Sequence, residues 1–195
     1  MAQPLPPGTW VIGLEPWIQQ DGNYGDFHVG QTVEFALELG PRSVHPTPQR
    51  ELRVEYLGGC AYRVTAPIVF RQDSLWMLDA GVLAYGEDAP GGLRAGQWVS
   101  GEIALGIDPF HYFERHALRP EVPPAIHTWR IAVIRSCTAP LPPYPQVFDA
   151  RKASWTVREV PETRSWTPPP GRALRYELVC RKLDIPPRRR LSRGW

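Results

Sequence analysis

Lysine is nearly absent: Lys152 and Lys182 are the only two among 195 residues. Imine chemistry through a lysine therefore has almost nowhere to sit. Cysteine is scarce as well. Cys60, Cys137 and Cys180 are odd in number, widely separated and free of any C-x-x-C, which excludes a disulfide framework and a zinc knuckle. No apolar run approaches the roughly 18 residues of a membrane span. The opening "MAQPLPPGTW" is proline-rich and uncharged, unlike a basic-then-apolar leader. The chain reads as a reduced, soluble, cytoplasmic protein.

Catalytic and phosphate-binding signatures are missing too. There is no G-x-S-x-G, no G-x-x-x-x-G-K-S/T and no G-x-G-x-x-G. "GGLRAGQ" has glycines, but it leads into a strand, so no helix dipole stands ready for a phosphate. No RNP, KH or helix-turn-helix pattern occurs. These absences favour a non-enzymatic binding protein without a cofactor.

Proline, by contrast, is abundant: 23 residues, clustered between hydrophobic runs. That arrangement favours many short strands joined by stiff turns. "TVEFALEL" alternates, with Val33, Phe35, Leu37 and Leu39 on one face, and "ELRVEYL" places Leu52, Val54 and Tyr56 inward. Nine strands are expected in all, in a single mainly-β domain, since a chain of this size buries roughly 70% of its unfolded surface. The predicted organisation is a barrel or half-barrel core over residues 1–138, a proline-rich connector over 139–150, and a C-terminal hairpin with a basic tail over 151–195.

The stretch "DPFHYFERHALRP" interrupts the strands with a predicted helix over residues 109–119. Asp108 supplies a cap, Pro109 suits the first turn and Pro120 forces a stop. Phe110, Phe113, Ala117 and Leu118 form its expected docking flank across the mouth of the barrel. Strands, a capping helix and a further strand resemble the element order of OB-type barrels. The likeness covers residues 30–138 and lies in that order alone.

Charge is divided unevenly. Residues 1–100 carry 6 arginines and no lysine against 11 acidic groups, whereas residues 101–195 carry 16 basic groups against 9 acidic ones. Arginines interleaved with tryptophans in the C-terminal half can meet phosphates while rings stack on bases. Trp155, Arg158, Trp166, Arg188, Arg189 and Arg190 are the candidates for such contacts. Tyr24 and Phe27, at the tip of "QDGNYGDF", are read as an exposed aromatic contact pair on a turn.

The first functional expectation is therefore an adaptor module for a protein or single-stranded nucleic acid, using that C-terminal half. An alternative is a bacterial immunity or inhibitor-type protein that blocks a toxin or enzyme through acidic and aromatic surfaces, including Glu34 and Glu38. A third is a metal-dependent enzyme built on Asp108, His111, Glu114 and His116. The two histidines are five residues apart, however, which rotates them away from each other on a helix.

Overall fold

A computed structural model describes residues 3–22, 24–143, 145–150, 152–164 and 170–190. In chain order the elements are β1 (Thr9–Leu14), α1 (Pro16–Gln20), β2 (Thr32–Phe35), β3 (Leu37–Pro46), β4 (Arg53–Gly58), β5 (Ala61–Gln72) and β6 (Leu75–Asp79). There follow β7 (Leu83–Gly86), β8 (Trp98–Ile107), α2 (His111–Glu114), a 3-10 turn (His116–Leu118), β9 (His127–Pro140), β10 (Thr156–Val160) and β11 (Arg172–Lys182). The chain is mainly β and contains a closed five-strand barrel, as the alternation implies.

The ring closes through β3, β8, β5, β6 and β7, antiparallel at each step until β7 returns parallel to β3. Its interior is filled by the inward set of each strand, among them Val64, Ile68, Trp76, Leu78, Val99 and Ile103. A second set of strands continues from β8. β1 touches it through Gly13 and Gly106, then β11 pairs β1, and β9 pairs β11. β2 and β10 both pair β9, at opposite ends of its length.

The "TVEFALEL" run is one alternating stretch that serves two partners. Ala36 interrupts it, so Val33 and Phe35 pair with β9 while Leu37 and Leu39 enter the barrel. All four side chains reach the same buried cluster. At the C-terminus the expected hairpin does not form. β10 and β11 pair with β9 rather than with each other, and β11 becomes an interior strand through its bonds to β1.

The helix is shorter and differently placed than its punctuation suggests. It spans four residues, breaks at Arg115 and resumes as the 3-10 turn. Its docking group is Tyr112, fully buried, joined by Phe113 and Ala117 of the expected flank, whereas Leu118 is 67% exposed. Tyr112 packs with Leu75, Met77 and Tyr85 in a second cluster. Trp76, Leu78 and Ala84 of the same hairpin point into the barrel, so this cluster lies on the hairpin's outer face. The helix therefore covers the barrel wall instead of plugging its mouth.

Candidate functional site

A groove of about 800 Å³ runs beside β4. One wall is four consecutive residues of that strand, Val54 to Leu57. Successive side chains of a strand point to opposite faces, so a hollow lined by four in a row runs along the strand's edge. β4 is the last strand of the sheet, and among the described residues nothing pairs with its outer edge. Gly58 and Gly59, both at positive φ, turn the chain back into β5 and leave the edge standing clear.

The opposite wall comes from both ends of the chain. Pro4, Leu5 and Pro6 lie across from β4, and Lys182 to Asp184 complete the rim. A turn at Gly8 closes through Thr9 N–H donating to Pro6 O at 3.0 Å, and Lys182 N–H donates to Gly8 O at 2.9 Å. The floor is aromatic. Trp10 and Tyr56 flank Tyr62 with ring centroids 5.2 and 5.6 Å away. The Tyr62 hydroxyl accepts from Val11 N–H at 2.5 Å and donates to Val11 O at 3.1 Å, which locks β1 beneath the groove. Burial pushes the Tyr62 phenol well up, so it stays neutral and able to donate. Burial also raises Tyr56.

Leu52 and Val54 extend the core face of β5 outward as the alternation implies, but they are 49% and 40% exposed because no strand covers them. An apolar stripe, an unpaired backbone edge and a few charges at the rim are what an extended polypeptide needs.

The residues singled out from sequence are dispersed. Tyr24 and Phe27 are core residues, 2% and 1% exposed, in contact with each other and with Phe113 and Phe35 respectively. Thr163 holds their loop inward: its hydroxyl accepts from Phe27 N–H at 2.9 Å, and its own N–H donates to Phe27 O at 2.9 Å. Burying two rings outweighs leaving a polar turn free, at about 2 kcal/mol or more for each.

Trp155 and Arg158 fall on opposite faces of the sheet. Arg158 faces Ser136, while Val157 faces Cys137 and hence Arg175. The Arg175 guanidinium lies 4.2 Å over the Trp155 ring and occupies the face a base would use. Arg158 does share a hollow of about 590 Å³ with Arg172, Ser136, Thr138, Thr156 and Val160. Trp166 lies outside the described residues.

Two of the three tail arginines hold structure. Arg188 exchanges backbone hydrogen bonds with Ile126 at 2.8 and 2.9 Å and pairs with Glu34 at 3.2 Å. Arg189 donates to Arg119 O at 2.8 Å and Pro120 O at 2.7 Å. Arg190 is exposed. Arg188 and Arg189 thus dock the tail against residues 119–126.

Around α2, Asp108 is fully buried and its carboxylate accepts from the Tyr85 hydroxyl and from Tyr112 N–H. It is a cap and anchor, as its place before the helix implies. Burial raises its pKa, against the lowering effect of these bonds. His116 and His111 converge on Glu87, at 2.9 and 3.3 Å. Glu114 is exposed and apart from them. Among the described residues no group of three His, Cys, Asp or Glu is arranged to hold a metal. None of the hollows described above is lined by these side chains.

The acidic surface expected of an inhibitor is also partly used internally. Glu34 is committed to Arg188, and Glu38 is half-buried with its pKa raised by burial and by Asp108. All three cysteines are free. Among the described residues no helix is long and apolar enough to cross a membrane. No protein-family model, curated protein or solved structure matches the chain.

The groove residues themselves are invisible to motif reading. Leu5 and Trp10, Val54 and Tyr56, and Lys182 come from three separated segments. The signal present was the exposed alternation of "LRVEY", whose position at a sheet end no local pattern reveals.

Proposed function

We propose that the chain is a non-enzymatic binding module that takes an extended strand of a protein partner along the free edge of β4. The observation that carries this reading is the groove wall of four consecutive residues on an unpaired strand, above a floor of Trp10, Tyr56 and Tyr62. Main-chain bonds to the edge supply affinity, and side chains at alternate positions enter the aromatic floor and supply selectivity. Three free thiols support a reducing, cytoplasmic setting.

The test is a titration of isotopically labelled protein with a short lysine-flanked peptide of alternating valine and threonine, followed by amide shifts. Expected are shifts confined to Arg53–Gly58, Trp10 and residues 182–184, and their loss in Val54→Lys. A single-stranded oligo-dT at low salt is the competing probe. Shifts at Arg158 and Arg172 with that probe, and none at β4 with the peptide, overturn the reading in favour of nucleic acid.

A further inference from the structure

We infer that the strand best fitted to the edge of β4 is the β4 of a second copy of this chain, paired antiparallel about a two-fold axis at Val54. This rests on the reading of the β4 groove as a site for an extended protein strand.

The inference comes from the order of side chains. In an antiparallel pair related by a two-fold axis normal to the sheet, residues equally far from the axis on either side face each other. With Val54 on the axis, Val54 meets its own copy, Arg53 meets Glu55 and Leu52 meets Tyr56, the last two contacts each occurring twice. From Leu52 to Tyr56 charges of opposite sign and apolar groups are matched and each pair lies on one face, and only the outermost pair, Glu51 with Leu57, is mixed.

Neighbouring registers fail. An axis at Arg53 sets arginine on arginine and Glu51 on Glu55. An axis at Glu55 sets carboxylate on carboxylate, and one at Tyr56 sets Glu55 opposite Leu57 directly beside the axis and leaves no arginine to meet it. Intermediate slips would turn the apolar stripe to the wrong face.

The surroundings agree. Leu52 and Val54 are the exposed apolar groups that such a pairing would cover. The Arg53 and Glu55 side chains are 64% and 60% exposed, and their present partners, Glu51 and Arg63, are surface ion pairs of small worth. Natural edges are commonly blunted by lysine or proline, and residues 52–57 contain neither. β10, at the other end of the sheet, shows no such match: an axis at Arg158 opposes arginines and one at Glu159 opposes glutamates.

A pairing of about five residues belongs with small, transient interfaces, so the dimer should form in the micromolar range or above. Sedimentation velocity of the full chain over rising concentration tests it. Wild type is expected to shift from monomer to dimer. R53E and E55R each place like charges opposite one another and should weaken association at least about tenfold. The double swap R53E/E55R restores the match and should restore the dimer.

V54C adds a register check: mild oxidation should yield a covalent dimer, and R53E in the same background should suppress it. Circular dichroism and melting of each variant separate lost association from lost folding, and the double swap carries the test if a single reversal fails to fold. A wild type monomeric at every concentration overturns the inference, as does a folded double swap that behaves like its single parents. If that monomer still binds the valine–threonine peptide at β4, self-pairing falls and the groove reading stands; if it does not, both fall.

Discussion

Tyr112 sits where three parts of the chain meet. Its N–H is capped by Asp108, and its hydroxyl donates to Pro123 O at 2.6 Å and accepts from Ala125 N–H at 2.8 Å. Tyr112→Phe keeps the ring and leaves the buried Ala125 N–H and the partly buried Pro123 carbonyl without this partner. The expected cost is about 1–3 kcal/mol in urea unfolding, with faster amide exchange at Ala125. His127 carries a different liability. Its Nε2 lies 3.1 Å from both the N and the O of Leu83, and burial lowers its pKa to about 4. The unfolded ring takes a proton from about pH 6.5 downward, the folded ring only near pH 4. Stability is therefore full above the upper value and is lost as pH falls towards the lower one, by about 3 kcal/mol for such a shift. His127→Gln should flatten that part of the stability profile, measured as the difference between variant and wild-type urea midpoints at each pH.

At the scale of elements, alternation carried well and terminal position did not. The barrel strands were legible because inward residues recur every second place, and that period survives whatever the partner strand turns out to be. The helix was half legible. Asp108 and its cap were readable, and Phe113 and Ala117 of the expected flank do pack on the outer wall, but Tyr112 is the buried centre of that contact and Leu118 is left exposed beyond the break at Arg115. The Tyr24–Phe27 turn misled for a related reason: its glycines signal a bend, while its burial depends on Thr163, more than a hundred residues away. β4 itself was readable as a strand, but nothing in its own residues says that no neighbour follows it. β3 and β8 give a test of pairing at this scale. They approach closely beside an irregularity between Pro41 and Ser43, and a Cβ on Gly101 would overlap the Ser43 carbonyl. Gly101→Ala should cost at least about 3 kcal/mol or prevent folding, seen as loss of the cooperative thermal transition. Gly91→Ala, with no atom near its Cβ position, is the control.

Over the whole molecule, sequence-distant segments share single sheets, so charge and composition along the chain say little about where groups meet. The basic C-terminal half is spread over two faces and the tail, and much of its arginine is spent on backbone carbonyls and carboxylates. Arg189→Ala should loosen the turn around Arg119 and Pro120 at a cost of about 1 kcal/mol, read as local amide exchange there, with the backbone pairing of Arg188 to Ile126 and the barrel unchanged. The segment Pro4–Pro6 is held over the groove by the bond between Lys182 and Gly8, so the two ends of the chain jointly shape one wall of the proposed binding edge.

That β1 lies between β8 and β11 has a consequence for biosynthesis. During translation β1 emerges before the strands described here and β11 after them, so Thr9 finds Arg181 only once all the intervening strands have been made. Until then the apolar side of β1 has no lasting neighbour on one flank, and the nascent polypeptide carries an adhesive ribbon that invites chaperones or aggregation. Ribosome-stalled products ending before residue 172 should be captured by a hydrophobic dye, and those extending past residue 182 should shed it.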